Sequence, residues 1–111
     1  MKLWIDDVRP APEGYVWCKS VNQTKESITL REQWRGLPWP FETGDKIIQP
    51  FELIDIDHDA GDYAADGGDY IKILDWLEET GRKYPIHIHS MNPVGIANMR
   101  AIIKRNGWKE V

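Results

Sequence analysis

A single cysteine, Cys18, occurs in the 111 residues, which excludes an internal disulfide and fits a reducing compartment. No apolar run approaches the roughly 20 residues that span a bilayer, and the first residues lack the charged-then-apolar layout of a signal peptide. The expectation is a cytoplasmic protein with no membrane segment. Repeats, low-complexity tracts and a convincing linker are missing too. One compact domain over residues 1–111, large enough to bury a core without staples, is therefore the simplest organisation. There is no Gly-rich phosphate loop, Cys-x-x-Cys pair or G-x-S-x-G elbow, which removes the chemistries those motifs serve. Positive charge is short as well: 14 Lys and Arg stand against 18 Asp and Glu, a balance that opposes wrapping a long nucleic-acid backbone.

What is abundant is aspartate, and it is concentrated. The stretch DIDHDAGDYAADGGD, Asp55 to Asp69, holds six aspartates in fifteen residues. From Asp55 to Glu79 nine acidic residues face one lysine, Lys72, whereas from Arg82 to Val111 six basic residues face only Glu110. Two ordinary solvated faces would explain this split. A cation site beside a surface that welcomes an anion would explain it equally.

The apolar pattern places these charges. KLWI, Lys2 to Ile5, halted by Asp6, Asp7, Pro10 and Pro12, reads as a buried strand ending in a loop. YVWC, Tyr15 to Cys18, reads as a second strand. Ser20 is placed to cap a helix running to about Trp34, with Val21, Thr24, Ile28 and Leu30 on its apolar face. Leu37 to Pro50 is turn-rich, with a small hairpin expected around Thr43 and Gly44. FELIDI, Phe51 to Ile56, is the third strand. A helix follows with Tyr70, Ile73, Leu74 and Leu77 on one face and Gly81 at its end. YPIHIHS supplies a fourth strand ending near His89 or Ser90. Asn92 then caps a helix with Pro93 first in it, carrying Val94, Ala97, Ala101 and Ile102 inward and stopping at Asn106 and Gly107. The tail WKEV reads as a stub of strand. Alternating strands and helices at this spacing imply a parallel sheet with helices on both faces.

In such sheets ligands bind beyond the carboxyl ends of the strands. Asp6 and Asp7 end the first strand, Asp57 to Asp59 the third, and His89 and Ser90 the fourth, so all fall on one rim. Converging carboxylates repel unless neutralised, and hard oxygen donors select magnesium, manganese or calcium. Asp6, Asp7, Asp57 and Asp59 are the expected ligands of Mg2+ or Mn2+. The helix start at Asn92 offers N–H groups to a phosphate, and Ser90 and Arg9 stand beside it, the latter able to make a bidentate contact. Asp57 is the expected nucleophile or principal ligand, with His58 and His89 as proton carriers. His87 is expected to pack or to bond backbone. Each element alone has an ordinary reading, solvated acids or a plain helix cap; their convergence carries the argument.

Rival motifs fail on spacing. From Asp55 the loop puts Asp55, Asp57, Asp59 and Asp66 at positions one, three, five and twelve of an EF-hand, but position six is Ala60, position twelve is not glutamate, and a strand precedes it. The His58–Asp59 pair lacks the further histidines of helical metal-dependent phosphohydrolases. HIHS is not accompanied by the second His-x-Ser/Thr motif that a two-histidine phosphoesterase needs.

KLWIDDVRPAP, IDHDAG, GDYIKILDWLEETG and IHIHSMNPVGIANM together resemble the cyclic-phosphate processing receiver domains, over nearly the whole chain except Leu37 to Pro50. The resemblance implies a compact α/β, receiver-like (flavodoxin-like) fold: a parallel sheet of about four strands with flanking helices, the first and last receiver helices missing. In an ordinary receiver an acidic pair and a phosphate-accepting aspartate bind magnesium, and Asp6, Asp7 and Asp57 match them; Ser90 matches the serine or threonine that ends the fourth strand. The chain departs from that pattern where RPAPEG replaces the first helix and where the phosphate-contacting lysine of a fifth strand is lost, since Lys104 and Lys109 do not fall in its place. Asp55 and Ala60 stand where relatives tend to have serine and leucine, and the role of Asp55 is open. The implied activity is metal-dependent handling of a cyclic phosphate or phosphoester, with a phosphate-bearing small molecule, a cyclic nucleotide or an RNA end as partner. The alternatives are a non-catalytic phosphate- or nucleotide-sensing module and a divergent phosphoacceptor.

Overall fold

The computed structural model describes residues 1–38 and 47–111; the hairpin expected around Thr43 and Gly44 lies outside them. Four short strands, β1 (Lys2–Ile5), β2 (Tyr15–Cys18), β3 (Ile54–Ile56) and β4 (Ile86–Ile88), form one parallel sheet in the order β2-β1-β3-β4. Among the described residues three α-helices accompany them: α1 (Val21–Gln33), α2 (Ile71–Glu79) and α3 (Pro93–Asn106). The tail adds the expected stub: Glu110 bridges Ile86 in parallel, and Trp108 is buried beneath it.

Strand register divides the sheet into two unlike faces. Leu3, Ile54 and Ile86 lie side by side, as do Ile5, Ile56 and Ile88. Leu3, Ile5, Ile54, Ile56 and Ile86 are fully buried and share one core with Val21 and Ile28 of α1, Tyr70, Ile73, Leu74 and Leu77 around α2, and Met99, Ile102 and Ile103 of α3. Each such side chain removed from water contributes about 1.5–3 kcal/mol, so this face holds the fold together. The next row, Trp17, Trp4, Asp55 and His87, points the other way because side chains alternate along a strand.

All three helices therefore cover a single face, which corrects the expectation of helices on both. The reason is topological. From β2 to β3 and from β3 to β4 the chain moves in the same direction across the sheet. Right-handed crossovers in that direction place their helices on the same side. Only the β1–β2 connection moves the other way, and there a loop replaces the helix. With a loop in place of the first helix, no helix among the described residues covers the Trp4–Asp55 face.

Local signals explain the element ends. The Ser20 hydroxyl accepts from the Gln23 N–H and caps α1, and Asn92 does the same for α3 through the Gly95 N–H at 3.1 Å. Gly107 takes the left-handed conformation that closes α3. Two helix faces differ from expectation. In α1 Leu30 is exposed and Arg31 is buried, reaching the Gln49 carbonyl. In α3 the inward set is Gly95, Met99, Ile102 and Ile103, while Val94, Ala97 and Ala101 face solvent; the steps of four, three and one keep one stripe, which small alanines obscured.

Candidate metal and phosphate site

The rim beyond the strands' carboxyl ends gathers the acids. Asp6 follows β1 directly and is 1 % exposed. One carboxylate oxygen accepts the N–H groups of Val8 and Arg9 at 2.9 and 2.8 Å, folding the loop back over the end of β1. The other meets Nε2 of His89 at 2.9 Å. Nδ1 of the same ring meets Asp55 Oδ1 at 2.6 Å, and the ring lies flat on Trp4, 3.9 Å between centroids and 3° between planes. His89 is thus clamped between two buried carboxylates. Both contacts are satisfied together by an imidazolium, which donates at both nitrogens.

These contacts fix the charge states. Burial works against a charged His89, but the hydrogen bonds and charges of Asp55 and Asp6 outweigh it and hold its pKa above the ordinary value. Burial likewise pushes Asp6 up, yet the Val8 and Arg9 N–H groups and His89 overcome this and keep it below the usual carboxylate range. Asp7 differs: burial, followed by the charges of Asp6, Asp57 and Asp59, raises its pKa. Carboxylates that hinder one another's ionisation mark a place that would accept a cation.

Asp57 emerges from β3 with one oxygen on the His58 N–H at 2.8 Å. Ligand atoms of Asp6, Asp57 and His89 all lie within 4.8 Å of one another, and among the described residues they form the one such group. Carboxylates that belong to different strand ends do converge. Asp7 and Asp59 stay outside that group. Gly61 (φ +55°) has no room for a β-carbon because Asp7 Oδ2 lies over it, and Asp59 turns to His58 Nδ1 at 2.8 Å.

Beside Asp57 opens a groove of about 450 Å³ lined by Arg9, Asp57, Asp59, Ser90, Asn92 and the neighbouring Met91 and Pro93. Five of the residues expected to handle metal or phosphate meet there. The helix start is less generous than its sequence implied. The Asn92 N–H goes to Ser90 Oγ and the Gly95 N–H to Asn92 Oδ1, and Pro93 has none, so these groups of the first turn are already engaged. His87 instead bonds the Val111 carbonyl at 2.7 Å, away from the rim.

His58 packs against the first turn of α3, where a β-carbon on Gly95 would overlap its ring. Alanine for glycine inside a helix ordinarily gains about 1 kcal/mol. Overpacking costs about 1–3 kcal/mol, so Gly95→Ala is expected to lower stability and displace the His58 ring, read by Tm and by the imidazole resonances. A stabilised protein with unchanged resonances would contradict this packing.

Two contributors were not legible in sequence. Asp55 could be found only through register, because it shares a face with His87 and therefore with His89 two residues on. Trp4 gave no signal until its sheet face proved to lack a helix. Searches of curated proteins and of solved structures return no match. The sequence model of the cyclic-phosphate processing receiver domain, in contrast, matches residues 1–105. Its span takes in the parallel sheet, the three helices except the last residue of α3, and every residue of the acidic rim, and the chain belongs to that family.

Proposed function

We propose that this domain performs metal-dependent phosphoester chemistry on a cyclic phosphate. The observation that carries this reading is the meeting of Asp6 and Asp57, from separate strands, at the edge of a groove that also presents Arg9, Ser90 and Asn92. The donor set fits a divalent cation: Asp6 and Asp57 would hold it, and a third acid, Asp7, is close enough to feel both charges. When bound, such an ion neutralises the acids and polarises a phosphoryl oxygen.

The chain's own residues supply the rest. Arg9 receives the phosphate oxygens, and Ser90 and Asn92 line the same groove. Asp57 orients the attacking water. With Nδ1 of His58 turned to Asp59, its Nε2 takes the water's proton and returns it to the departing ribose oxygen as that P–O bond breaks. Ring opening to a monoester follows. Both nitrogens of His89 are engaged by carboxylates, which favours His58 for proton transfer.

The test is incubation with Mg2+ or Mn2+ and a panel of 2′,3′- and 3′,5′-cyclic nucleotides. The expected result is conversion of at least one to a monoester, abolished by a chelator. Metal-dependent thermal shifts without conversion would favour a sensing module, and a mass gain after treatment with a small phosphodonor a phosphoacceptor. The absence of both conversion and thermal shift would contradict the proposal.

A further inference from the structure

Resting on the metal reading above, we propose that the site takes a first-row transition ion such as Mn2+, Fe2+ or Zn2+, with Nε2 of His89 as a ligand beside Asp6 and Asp57, and with Asp55 as the residue that positions the histidine. An all-oxygen magnesium site would draw on Asp6, Asp7 and Asp57. Here Asp7 leans over Gly61, and the third donor grouped with Asp6 and Asp57 is a nitrogen. Imidazole shifts preference from magnesium toward transition ions.

Three further features prepare the ring for that role. Metal-binding histidines almost always give their other N–H to a carboxylate or carbonyl, which fixes the tautomer. Asp55 Oδ1 does this at 2.6 Å from Nδ1, from a buried position on the sheet face remote from the hydrophobic core. Nδ1 then keeps its proton and Nε2 is the atom turned to Asp6. Stacking on Trp4 holds the ring plane. The 2.9 Å between Nε2 and Asp6 Oδ2 also suits two adjacent donors of one ion, since bonds of about 2.1 Å at right angles put the donors about 3 Å apart. Binding would release the proton shared by Nε2 and Asp6 Oδ2 to solvent. Asp6 would keep its other oxygen on the Val8 and Arg9 N–H groups. A purely structural His89, neutralising two buried acids, would leave any ion with oxygen donors alone.

Pulsed electron paramagnetic resonance of the Mn2+-loaded protein distinguishes these, because a directly bound imidazole nitrogen gives a resolved coupling. The expected result is a nitrogen coupling that changes on 15N-histidine labelling, persists in His58→Asn and disappears in His89→Gln. Should His89→Gln fail to fold, the wild type and His58→Asn still decide, since His87 is committed to Val111 on the far side of β4. Mn2+ bound without nitrogen coupling, or a coupling lost in His58→Asn, would overturn the proposal while leaving the carboxylate metal site intact. No bound Mn2+ would overturn both.

Discussion

Replacing His89 by leucine is expected to lower the Tm of the metal-free protein by roughly 10–20 °C. The side chain itself is small change in volume; the cost comes from what it leaves behind. Asp6 and Asp55 are 1 % and 6 % exposed, and each would lose the donor now at 2.9 or 2.6 Å. Breaking a buried charge pair from one side costs about 3–5 kcal/mol, and for a domain of this size each kcal/mol moves Tm by several degrees. Adding Asp55→Asn to the variant should recover part of the loss, because one stranded charge is then removed. A Tm drop below about 3 °C would show that the clamp carries little charge.

The same clamp sets a pH dependence. His89 has a raised pKa in the folded state. Its stabilisation is fully present below the unfolded value of about 6.5 and is lost as pH rises through the folded value. Asp6, lowered in the fold, contributes above about 3.9 and is lost as pH falls through its depressed value. Chemical denaturation of the metal-free protein should therefore show greatest stability between about pH 4 and 6.5, weakening on the alkaline side.

Asp57→Asn carries the second large effect. Conversion of a cyclic phosphate is expected to fall by more than roughly 100-fold, the upper cost of losing even a residue that only supports a metal ligand. Stability should move the other way. Asp57 is one of the charges that hinder ionisation of Asp7, and asparagine keeps the oxygen that accepts the His58 N–H. The metal-free variant is therefore expected to melt no lower than the wild type. Loss of turnover with an intact or raised Tm separates a role in chemistry from a role in folding.

How much of this was written in the sequence depends on which interaction sets each feature. The strands at Lys2–Ile5 and Tyr15–Cys18, the caps at Ser20 and Asn92, and the inward face Tyr70, Ile73, Leu74 and Leu77 were readable because each is local: apolar period, capping hydroxyl or amide, and glycine stop lie within a few residues. Placing Asp6 and Asp57 on one rim needed only the rule that parallel strands end together. The one-sided helix layer was not readable from period alone, since a loop and a helix are both permitted between β1 and β2; it followed from strand order. The His89 clamp was hidden for a related reason. Asp55, His89 and Trp4 are neighbours only once β3 is laid between β1 and β4 in a particular register, and one residue of slip would turn Asp55 into the core.

The most direct test is calorimetric titration of Mn2+ and Mg2+ into the wild type and Asp57→Asn. Carboxylates brought together from two strand ends predict saturable binding of one ion per chain in the wild type, and affinity at least about 10-fold weaker in the variant. A wild type that takes up no divalent ion at millimolar concentration, or a variant that binds as tightly as the wild type, would contradict the account.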